Sequence, residues 1–332
     1  MEINKNTNIK KYRIAICGYG NLGKGVESEI LKNEDMELVC IFSRRNNIQT
    51  KLNVPIISVN EIEQWKDKID VVILCGGSAT DLPVQTPIFA KLFNTIDSFD
   101  THAKIPEYYK KVNESALEGN NISIISVGWD PGLFSINRAY MKSILTQGDT
   151  YTFWGEGVSQ GHSDAIRRIE GVKNAVQYTI PYEQVVQNIR KGERPVLTTR
   201  EKHYRECYVV LEDGADAEKV KNEIVNMPNY FADYNTIVNF VSEEELLQNH
   251  NKLPHGGFVI RSGNTGNDVK QVMEFSLKLE SNPEFTASTL IAYARAACRL
   301  DEKGERGCRT VLDVPVGLWA KEDREVLVKE LL

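Results

Sequence analysis

The chain has 332 residues, 41% of them hydrophobic and 26% charged, and its formal net charge is −6. This length exceeds one ordinary core and predicts two domains. Lys and Arg are scattered and outnumbered by Asp and Glu, which excludes the electrostatic signature of a nucleic-acid-binding protein, and no apolar run approaches the roughly 20 residues of a membrane span.

The N-terminal segment Met1–Lys11 is polar and has no hydrophobic stretch, so we expect no secretory signal. The cysteines show no CxxC spacing and no clustering of the metal-binding kind, and three of them lie in apolar runs where a thiol packs as a small hydrophobe. They are Cys17, Cys40, Cys75, Cys207, Cys298 and Cys308. We therefore predict a reduced, cytoplasmic enzyme without a metal ion.

The first predicted strand, Ile14–Cys17, leads into Gly18-x-Gly20-x-x-Gly23, and a helix is predicted from Asn21 to about Leu31. In a dinucleotide fingerprint these glycines form a tight turn, let a pyrophosphate approach the backbone and let the helix pack on the strand. The phosphates bind the free N–H groups at the helix start. Tyr19, Asn21 and Leu22 belong to the same predicted cofactor site. A tight turn without a nucleotide remains the alternative.

The second predicted strand ends in Ser43-Arg44-Arg45, where an NAD site carries an acidic residue for the ribose 2′-hydroxyl. A hydroxyl and two cations suit a 2′-phosphate instead. The sequence therefore predicts NADP(H) as the cofactor. A solvated basic loop tip is the alternative reading of these residues.

The following elements alternate between strands and helices, which predicts a doubly wound parallel sheet, the Rossmann type of α/β domain. Helices are expected at 61–68, 87–93 and 105–118, and strands at 54–59, 70–75, 94–100 and 122–127. The loop after the strand 70–75 lies where nicotinamide-side contacts are made. Its predicted cofactor residues are Cys75, Gly76, Gly77, Ser78, Ala79, Thr80 and Asp81.

The pattern changes after Gly128, and longer alternating segments follow, which indicates a second, α+β domain with a mostly antiparallel sheet. Its strands are expected at 151–154, 175–180, 206–211, 234–241 and 256–263, with a helix at 217–226. The stretch 133–145 is expected to pack between the domains, and the helix 285–299 to pack back on the first. We predict residues 1–128 with about 283–332 as the dinucleotide-binding domain, and 129–282 as the substrate-binding and dimerisation domain.

Substrate is expected between the domains, near the carboxyl ends of the parallel strands. Asp100 and Asp130 each follow a predicted strand and an aromatic residue, and with Trp129 and Trp154 they suit a substrate ammonium group. Asp130 before Pro131 is alternatively a turn or helix-capping residue.

The second domain offers hydrogen-bond donors suited to a carboxylate. They are Thr179, Arg205, His255 and Asn282. Taken singly, Arg205 is also explained as a surface residue and His255 as a turn residue, so the spacing alone indicates a two-ended substrate only weakly.

Long motifs across residues 12–332 resemble the meso-diaminopimelate dehydrogenase family. They are GYGNLG, IFSRR, CGGSATD, DSFDTHAKIP, GWDPGLFSINR, TFWGEGVSQGHSDAIRRIEGVKNAVQYT, the Leu253-Pro-His-Gly-Gly segment, where relatives often carry Met at position 253, and LKLESNPEFTAS. The resemblance implies a homodimer that reversibly deaminates the D-centre of meso-2,6-diaminopimelate with NADP, giving L-2-amino-6-oxopimelate and ammonia in lysine and peptidoglycan-precursor metabolism.

The resemblance also assigns roles to residues. The D-centre would lie among Asp100, Asp130, Trp129, Trp154, Ser159, Gln160 and Gly161, with Asp100 and Asp130 as the catalytic carboxylates. The distal L-centre would be held by Thr179, Arg205, His255 and Asn282. Rival readings are a reductase of a cyclic imine, an aldehyde dehydrogenase with Cys75 as its nucleophile, and an NADP-sensing regulator without turnover.

Overall fold

The structure is a computed structural model that describes residues 11–252 and 254–332, and the side chains of these except Gln160. Of the N-terminal segment in which we expect no secretory signal, only Lys11 is among the described residues. Leu253 also lies outside them. The described chain divides into two compact units, one ending at Ile136 and resuming with Pro283–Leu332, and the other formed by Asn137–Asn282. The division falls inside a helix, whereas the sequence pattern changes already at Gly128.

The first part of the chain alternates strands and helices, as predicted. The strands are β1 (Tyr12–Cys17), β2 (Met36–Ser43), β3 (Ile56–Ser58), β4 (Val71–Leu74), β5 (Asn94–Asp97) and β6 (Ile122–Ile125). The α-helices are α1 (Asn21–Ile30), α2 (Leu82–Ala90) and α3 (Ile105–Gly119), and 3-10 turns lie at Ile62–Lys68 and His102–Lys104.

The second unit combines short helices with two sheets in its described residues. Its strands are β7 (Gln147–Trp154), β8 (Gly157–Val158), β9 (Val172–Pro181), β10 (His203–Leu211), β11 (Asn235–Phe240), β12 (His255–Thr265) and β13 (Val269–Leu279). The helices are α4 (Leu133–Ile144), which begins in the first unit, α5 (Gln160–Arg167), α6 (Glu183–Arg190), α7 (Thr199–Lys202), α8 (Ala217–Val225) and α9 (Glu243–Asn249). The strand orders are β11-β10-β9-β8 and β13-β12-β7, antiparallel except for the β10–β11 pair.

The chain then returns to the first unit through α10 (Asn282–Glu302), β14 (Gly307–Thr310) and α11 (Arg324–Leu331), with 3-10 turns at Val311–Asp313 and Val316–Leu318. Over the described residues its sheet is parallel, in the order β14-β6-β5-β4-β1-β2-β3.

Side chains of β1 alternate between two cores, one on each face of this sheet. Ile14 and Ile16 pack with Ala287 and Leu290 of α10, whereas Ala15 and Cys17 face the core that α2 and α3 cover. Successive strand residues point to opposite faces, so a sheet buried on both faces reads as a continuous apolar run. The predicted doubly wound α/β sheet with a second α+β unit is confirmed.

Helix α2 differs from the prediction, which started it at Pro87. It begins at Leu82, with Pro83 in the first turn and Pro87 inside the helix. Proline lacks the N–H that would bond the carbonyl four residues earlier. Here that carbonyl, Pro83 O, accepts a hydrogen bond of 3.1 Å from Lys111 Nζ, so the interior proline leaves no unsatisfied acceptor.

Strand β5 ends at Asp97 rather than at the predicted Asp100, because the Asp97 side chain accepts a hydrogen bond from the backbone two residues later. Asp97 Oδ1 accepts a hydrogen bond of 3.0 Å from Phe99 N. The chain therefore leaves the sheet before Asp100, which lies in the loop. Across residues 11–252 and 254–332, no helix combines the length and apolarity that crossing a membrane requires.

Candidate active site

The turn between β1 and α1 has the geometry that a pyrophosphate requires. Gly18 has φ +93°, and a Cβ there would lie 3.3 Å from the Cys75 carbonyl carbon. A Cβ on Gly23 would collide with Gly18 O, so the helix can approach the strand only without a side chain at that position. At Gly20, by contrast, a Cβ would have no described atom within 4 Å other than those of its chain neighbours. This open backbone at the helix start fits a phosphate group.

A cavity of about 460 Å³ adjoins this turn within the first unit. Its lining includes these predicted cofactor residues: Gly18, Tyr19, Gly20, Ser43, Arg44, Arg45, Cys75, Gly76, Gly77 and Asp81. It also includes residues that the sequence analysis missed: Cys17, Phe42, Val59 and Gln85. The predicted residues Asn21, Leu22 and Gly23 lie in the first turn of α1, with Leu22 packed on the core, and Ser78, Ala79 and Thr80 form the turn before α2.

The two arginines after β2 are placed differently. Arg45 Nη2 donates to Tyr19 O at 2.7 Å, and Arg45 N donates to Ser43 Oγ at 2.9 Å, so this residue is fixed beside the glycine turn. Arg44 Nη2 lies 3.2 Å from Asp81 Oδ1, and its side chain is 71% exposed. An ion pair this exposed contributes little, so Arg44 can exchange Asp81 for a phosphate. This cationic pair fits NADP(H) better than NAD(H).

Cys75 does not have the environment of a nucleophile. Cys75 follows β4 and is half-buried, and desolvation raises the pKa of its thiol above the ordinary value. Because the thiolate is the nucleophilic form of cysteine, a raised pKa disfavours a nucleophilic role for this residue. An aldehyde dehydrogenase requires a nucleophilic cysteine, so the environment of Cys75 does not support that alternative function.

The predicted catalytic carboxylates both follow parallel strands of the first unit. Asp100 is exposed in the loop after β5, and its backbone N donates to Ser78 Oγ at 2.9 Å, which joins this loop to the predicted cofactor loop. Asp130 is partly buried in the turn after β6. Trp129 beside it is 8% exposed and packs edge-to-face on Phe134 with ring centroids 5.1 Å apart. The carboxyl ends of parallel strands share one edge of the sheet, where ligands of such folds bind.

Trp154, at the end of β7 in the second unit, is held by a histidine that the sequence analysis missed. Its backbone N donates to His203 Nε2 at 2.9 Å, and its ring stacks on the imidazole at 5.6 Å. The Trp154 residue is 38% exposed, so one part of it is available for contacts, whereas His203 is buried. His203 accepts at Nε2, so it is neutral and carries its proton on Nδ1.

Arg205 on β10 is a buried cation whose contacts are all polar or aromatic rather than acidic. It is 6% exposed, Nη1 donates to Thr179 Oγ1, and the guanidinium carbon lies 3.9 Å from the Tyr234 ring centroid. Nη2 lies 3.5 Å from His162 Nε2. Among the described residues, no carboxylate pairs with Arg205, and its Nε has no hydrogen-bond partner. An unpaired buried charge is costly, which indicates a site for an anionic group.

Some of the other predicted substrate residues lie near Arg205 in the second unit. Ser159 caps α5, and its Oγ lies 2.6 Å from His162 Nδ1, so Ser159 reaches Arg205 through that imidazole. Gly161 lies in the first turn of the same helix. His255 begins β12 beside Gly157, which pairs with Thr179 in the sheet. The side chain of Gln160 is outside the described part, and Asn282, at the start of α10, is half-buried.

Two further polar side chains near Thr179 and Arg205, those of Gln177 and His203, were not predicted. Gln177 is fully buried, its Nε2 donates to Thr179 Oγ1 at 3.4 Å, and its Oε1 has no partner in the described structure. Gln177 and Thr179 are two residues apart on β9, as are His203 and Arg205 on β10, so each pair shares one face of the sheet. This period of two was the signal that could have identified Gln177 and His203.

His203, which is buried, and His162, which is half-buried, predict a pH dependence of stability. Burial, with Arg205 nearby, lowers the pKa of His162 to about 4 and that of His203 to about 3. In the unfolded chain each histidine takes up a proton below its ordinary pKa of about 6.5, whereas in the folded chain both histidines stay neutral until the pH is much lower. Protonation therefore favours the unfolded chain, and the free energy of unfolding falls as pH decreases from 6.5 toward 4. The expected slope is about 1.4 kcal/mol per pH unit for each histidine. Urea unfolding at several pH values measures it.

A matched pair of variants assigns this effect. His203→Gln should reduce the slope by about half, leaving the contribution of His162, whereas His102→Gln, at an exposed position of the first unit, should leave it unchanged. An unaltered slope in His203→Gln would contradict the assignment.

A parallel sheet with this glycine turn, joined to a second unit that buries an unpaired cation, defines a pyridine-nucleotide-dependent oxidoreductase of two-unit architecture. Residues 128–281 match the family described as "Diaminopimelic acid dehydrogenase C-terminal domain". The meso-diaminopimelate D-dehydrogenase of Ureibacillus thermosphaericus is 61% identical over 98% of this chain and 100% of its own length. The chain belongs to the meso-diaminopimelate D-dehydrogenase family.

Solved structures agree with this placement. The diaminopimelate dehydrogenase of C. glutamicum in complex with DAP is 46% identical, with a TM-score of 0.90 over 97% of this chain and 100% of that chain. An engineered D-amino acid dehydrogenase bound to NADP+ is 44% identical, with a TM-score of 0.84 over the same shares.

Proposed function

We propose that this chain catalyses the reversible NADP-dependent oxidative deamination of the D-centre of meso-2,6-diaminopimelate, giving L-2-amino-6-oxopimelate and ammonia in lysine and peptidoglycan-precursor biosynthesis. Family membership supports this reaction, since one relative was solved with DAP and another with NADP+. The observation in this chain that carries the proposal is the buried Arg205, whose unpartnered Nε fits a substrate carboxylate.

The proposed roles divide the substrate by charge. The carboxylates of Asp100 and Asp130 would attract the ammonium of the D-centre, with the faces of Trp129 and Trp154 beside it. Ser159, Gln160 and Gly161 would complete this end. The distal L-centre would bind Thr179, Arg205, His255 and Asn282. A nearly symmetric substrate then has one productive orientation, which accounts for selection of a single centre.

Proton removal must precede oxidation, because the nitrogen needs a free lone pair before the D-carbon can release hydride. Asp100 or Asp130, directly or through a water molecule, would accept that proton. When bound, NADP+ supplies the hydride acceptor. Its phosphates would occupy the turn formed by Gly18, Tyr19, Gly20, Asn21, Leu22 and Gly23, its 2′-phosphate would contact Ser43, Arg44 and Arg45, and residues 75–81 would border the nicotinamide.

The reaction is tested by following NADPH formation with meso-, LL- and DD-diaminopimelate. Turnover with the meso and DD isomers but not with the LL isomer is expected if a D-centre is required, and the meso isomer should be preferred because its distal centre has the L configuration. NADP+ binding without turnover of any isomer would indicate a sensor. Oxidation of glyceraldehyde phosphate, or reduction of a cyclic imine in place of diaminopimelate oxidation, would contradict the proposal.

Cofactor preference gives a separate prediction. Arg44→Ala should raise the Kd for NADP+ about tenfold or more, because a charge-assisted hydrogen bond contributes roughly 1.5–3 kcal/mol. The Kd for NAD+ should change little, since NAD+ has no 2′-phosphate. Titration by cofactor fluorescence measures both. Lys91→Ala, which removes an exposed cation paired with Glu118 in the same unit, is the control. Equal losses for both cofactors in Arg44→Ala would contradict the 2′-phosphate role.

The proposal extends to a homodimer in the cytoplasm. The second unit supports a dimer through β13, an edge strand on which Val269 is 56% and Val272 38% exposed. An exposed apolar edge is a surface that another chain can cover. Free thiols at all six cysteines suit a reducing compartment. Light scattering should give twice the mass of one chain, and the monomer mass at micromolar concentration would contradict the dimer.

A further inference from the structure

A buried carboxylate that has no part in the proposed chemistry lies at the end of β5. Asp97 is 1% exposed. Its Oδ1 accepts hydrogen bonds from Phe99 N at 3.0 Å and from Ser126 N at 3.1 Å. Its Oδ2 accepts from Thr86 Oγ1 at 3.1 Å and from the hydroxyl of Tyr108. One oxygen therefore faces two loops, and the other faces two helices.

The two loops are those that carry the proposed catalytic carboxylates. Phe99 immediately precedes Asp100, and its ring stacks on Tyr108 with centroids 4.0 Å apart. Ser126 begins the segment that leads to Asp130, in the left-handed region with φ +59°. Val127 N also donates to Asp97 O at 2.9 Å. Asp97 thus joins the end of β5 to the end of β6 at the points where both loops leave the sheet.

We propose that Asp97 is a positioning residue that fixes the loops of Asp100 and Asp130 relative to each other. This role rests on the proposed function, in which one of these carboxylates accepts the substrate proton. Proton transfer requires a base within hydrogen-bond reach, and a displacement of about 1 Å can cost about 100-fold in rate. Each loop is held by a backbone N–H bonded to the same oxygen, so loss of that oxygen removes one bond from both loops at once. The bonds from Val127 N to Asp97 O and from Asp100 N to Ser78 Oγ remain, so the loops should stay folded but lose their precise positions.

Burial of the Asp97 carboxylate costs free energy, which its hydrogen bonds must offset. Burial raises the pKa of Asp97, and a carboxylate removed from water needs every hydrogen bond it receives. The helix-facing bonds from Thr86 and Tyr108 satisfy Oδ2 without contacting either loop. Variants that remove a helix-facing bond therefore separate stability from positioning.

The experiment compares Asp97→Ala, Asp97→Asn and Thr86→Val in the full-length protein. Asp97→Ala should lower kcat for meso-diaminopimelate about 100-fold, with the KM and Kd for NADP+ near wild-type values. Asp97→Asn should keep kcat close to the wild type, because its amide oxygen still accepts both loop N–H groups and its NH2 can donate to the two hydroxyls. Thr86→Val should lower the unfolding midpoint while kcat stays near the wild type.

Three results would show that Asp97 does not position the two loops. A folded Asp97→Ala with unimpaired kcat, an Asp97→Asn as slow as Asp97→Ala, or kcat values that follow the unfolding midpoints through Thr86→Val would each overturn the role. If Asp97→Ala does not fold, Asp97→Ser takes its place, since its shorter hydroxyl reaches at most one of the two N–H groups and should still lower kcat. Absence of turnover in the wild type would overturn the proposed function itself, whereas an active wild type with unimpaired variants overturns the positioning role alone.

Discussion

Asp100→Asn is expected to lower kcat for meso-diaminopimelate at least about 100-fold, the lower end of what a general base contributes. The amide keeps the shape of the side chain but cannot accept the ammonium proton. The backbone bond from Asp100 N to Ser78 Oγ does not involve the carboxylate, so the loop should keep its position. The Kd for NADP+ should therefore be nearly unchanged. Steady-state rates at saturating substrate and cofactor titration measure the two effects.

The matched control is Glu107→Gln, which removes an exposed carboxylate from the first turn of α3 in the same unit. It should leave kcat unchanged, because the net charge alone does not set the rate. Unchanged turnover in Asp100→Asn at saturating substrate would rule out Asp100 as the base. Asp130→Asn, measured beside it, then shows whether the other carboxylate accepts the proton.

The first unit was largely predictable because its signals are local. β1, α1, β2 and the acid-free strand end at Ser43 lie within about thirty residues, and each buried strand is a continuous apolar run. The position of α2 was not predictable in this way. Pro87 indicated a helix start, but Lys111, which satisfies the carbonyl that Pro87 leaves without a donor, is distant in sequence.

Residues that act through distant partners escaped prediction. Asp97 was assigned to the interior of a strand, and nothing near it indicates a bond to Ser126, just after the neighbouring strand. His203 similarly supports Trp154 across two sheets of the second unit. By contrast, β13 has a local signal, the alternation of Met273, Phe275 and Leu277 with polar residues, and was nevertheless not predicted.

Family resemblance contributed what residue spacing could not. Spacing gave only a weak indication that Thr179, Arg205 and His255 act together. In the structure Thr179 contacts Arg205 and pairs with Gly157 beside His255, so these residues are neighbours in one unit. Their contact with substrate remains a prediction, and the strongest test of it is at Arg205.

Arg205→Met should raise the KM for meso-diaminopimelate about 100-fold, since hydrogen bonds to a charged group contribute roughly 1.5–3 kcal/mol each and about 2.7 kcal/mol corresponds to that factor. Discrimination against D-alanine, which lacks a distal carboxylate, should fall accordingly. The Kd for NADP+ should not change. Kinetics with both substrates measure these effects, and Arg200→Met, which removes an exposed arginine of α7, is the control.

Stability should respond in the opposite direction to substrate binding. Without a carboxylate partner among the described residues, Arg205 carries a desolvation cost that lowers the pKa of its guanidinium. Its neutral contacts with Thr179 and Tyr234 offset only part of that cost in the free protein. Replacing a buried ion by an apolar side chain of similar length is often neutral or stabilising. The unfolding midpoint of Arg205→Met should therefore equal or exceed that of the wild type while KM rises. A lower unfolding midpoint with unchanged KM would identify Arg205 as a structural residue. In that case the side chain would stabilise the free protein, whereas an unpaired cation kept for substrate binding destabilises it.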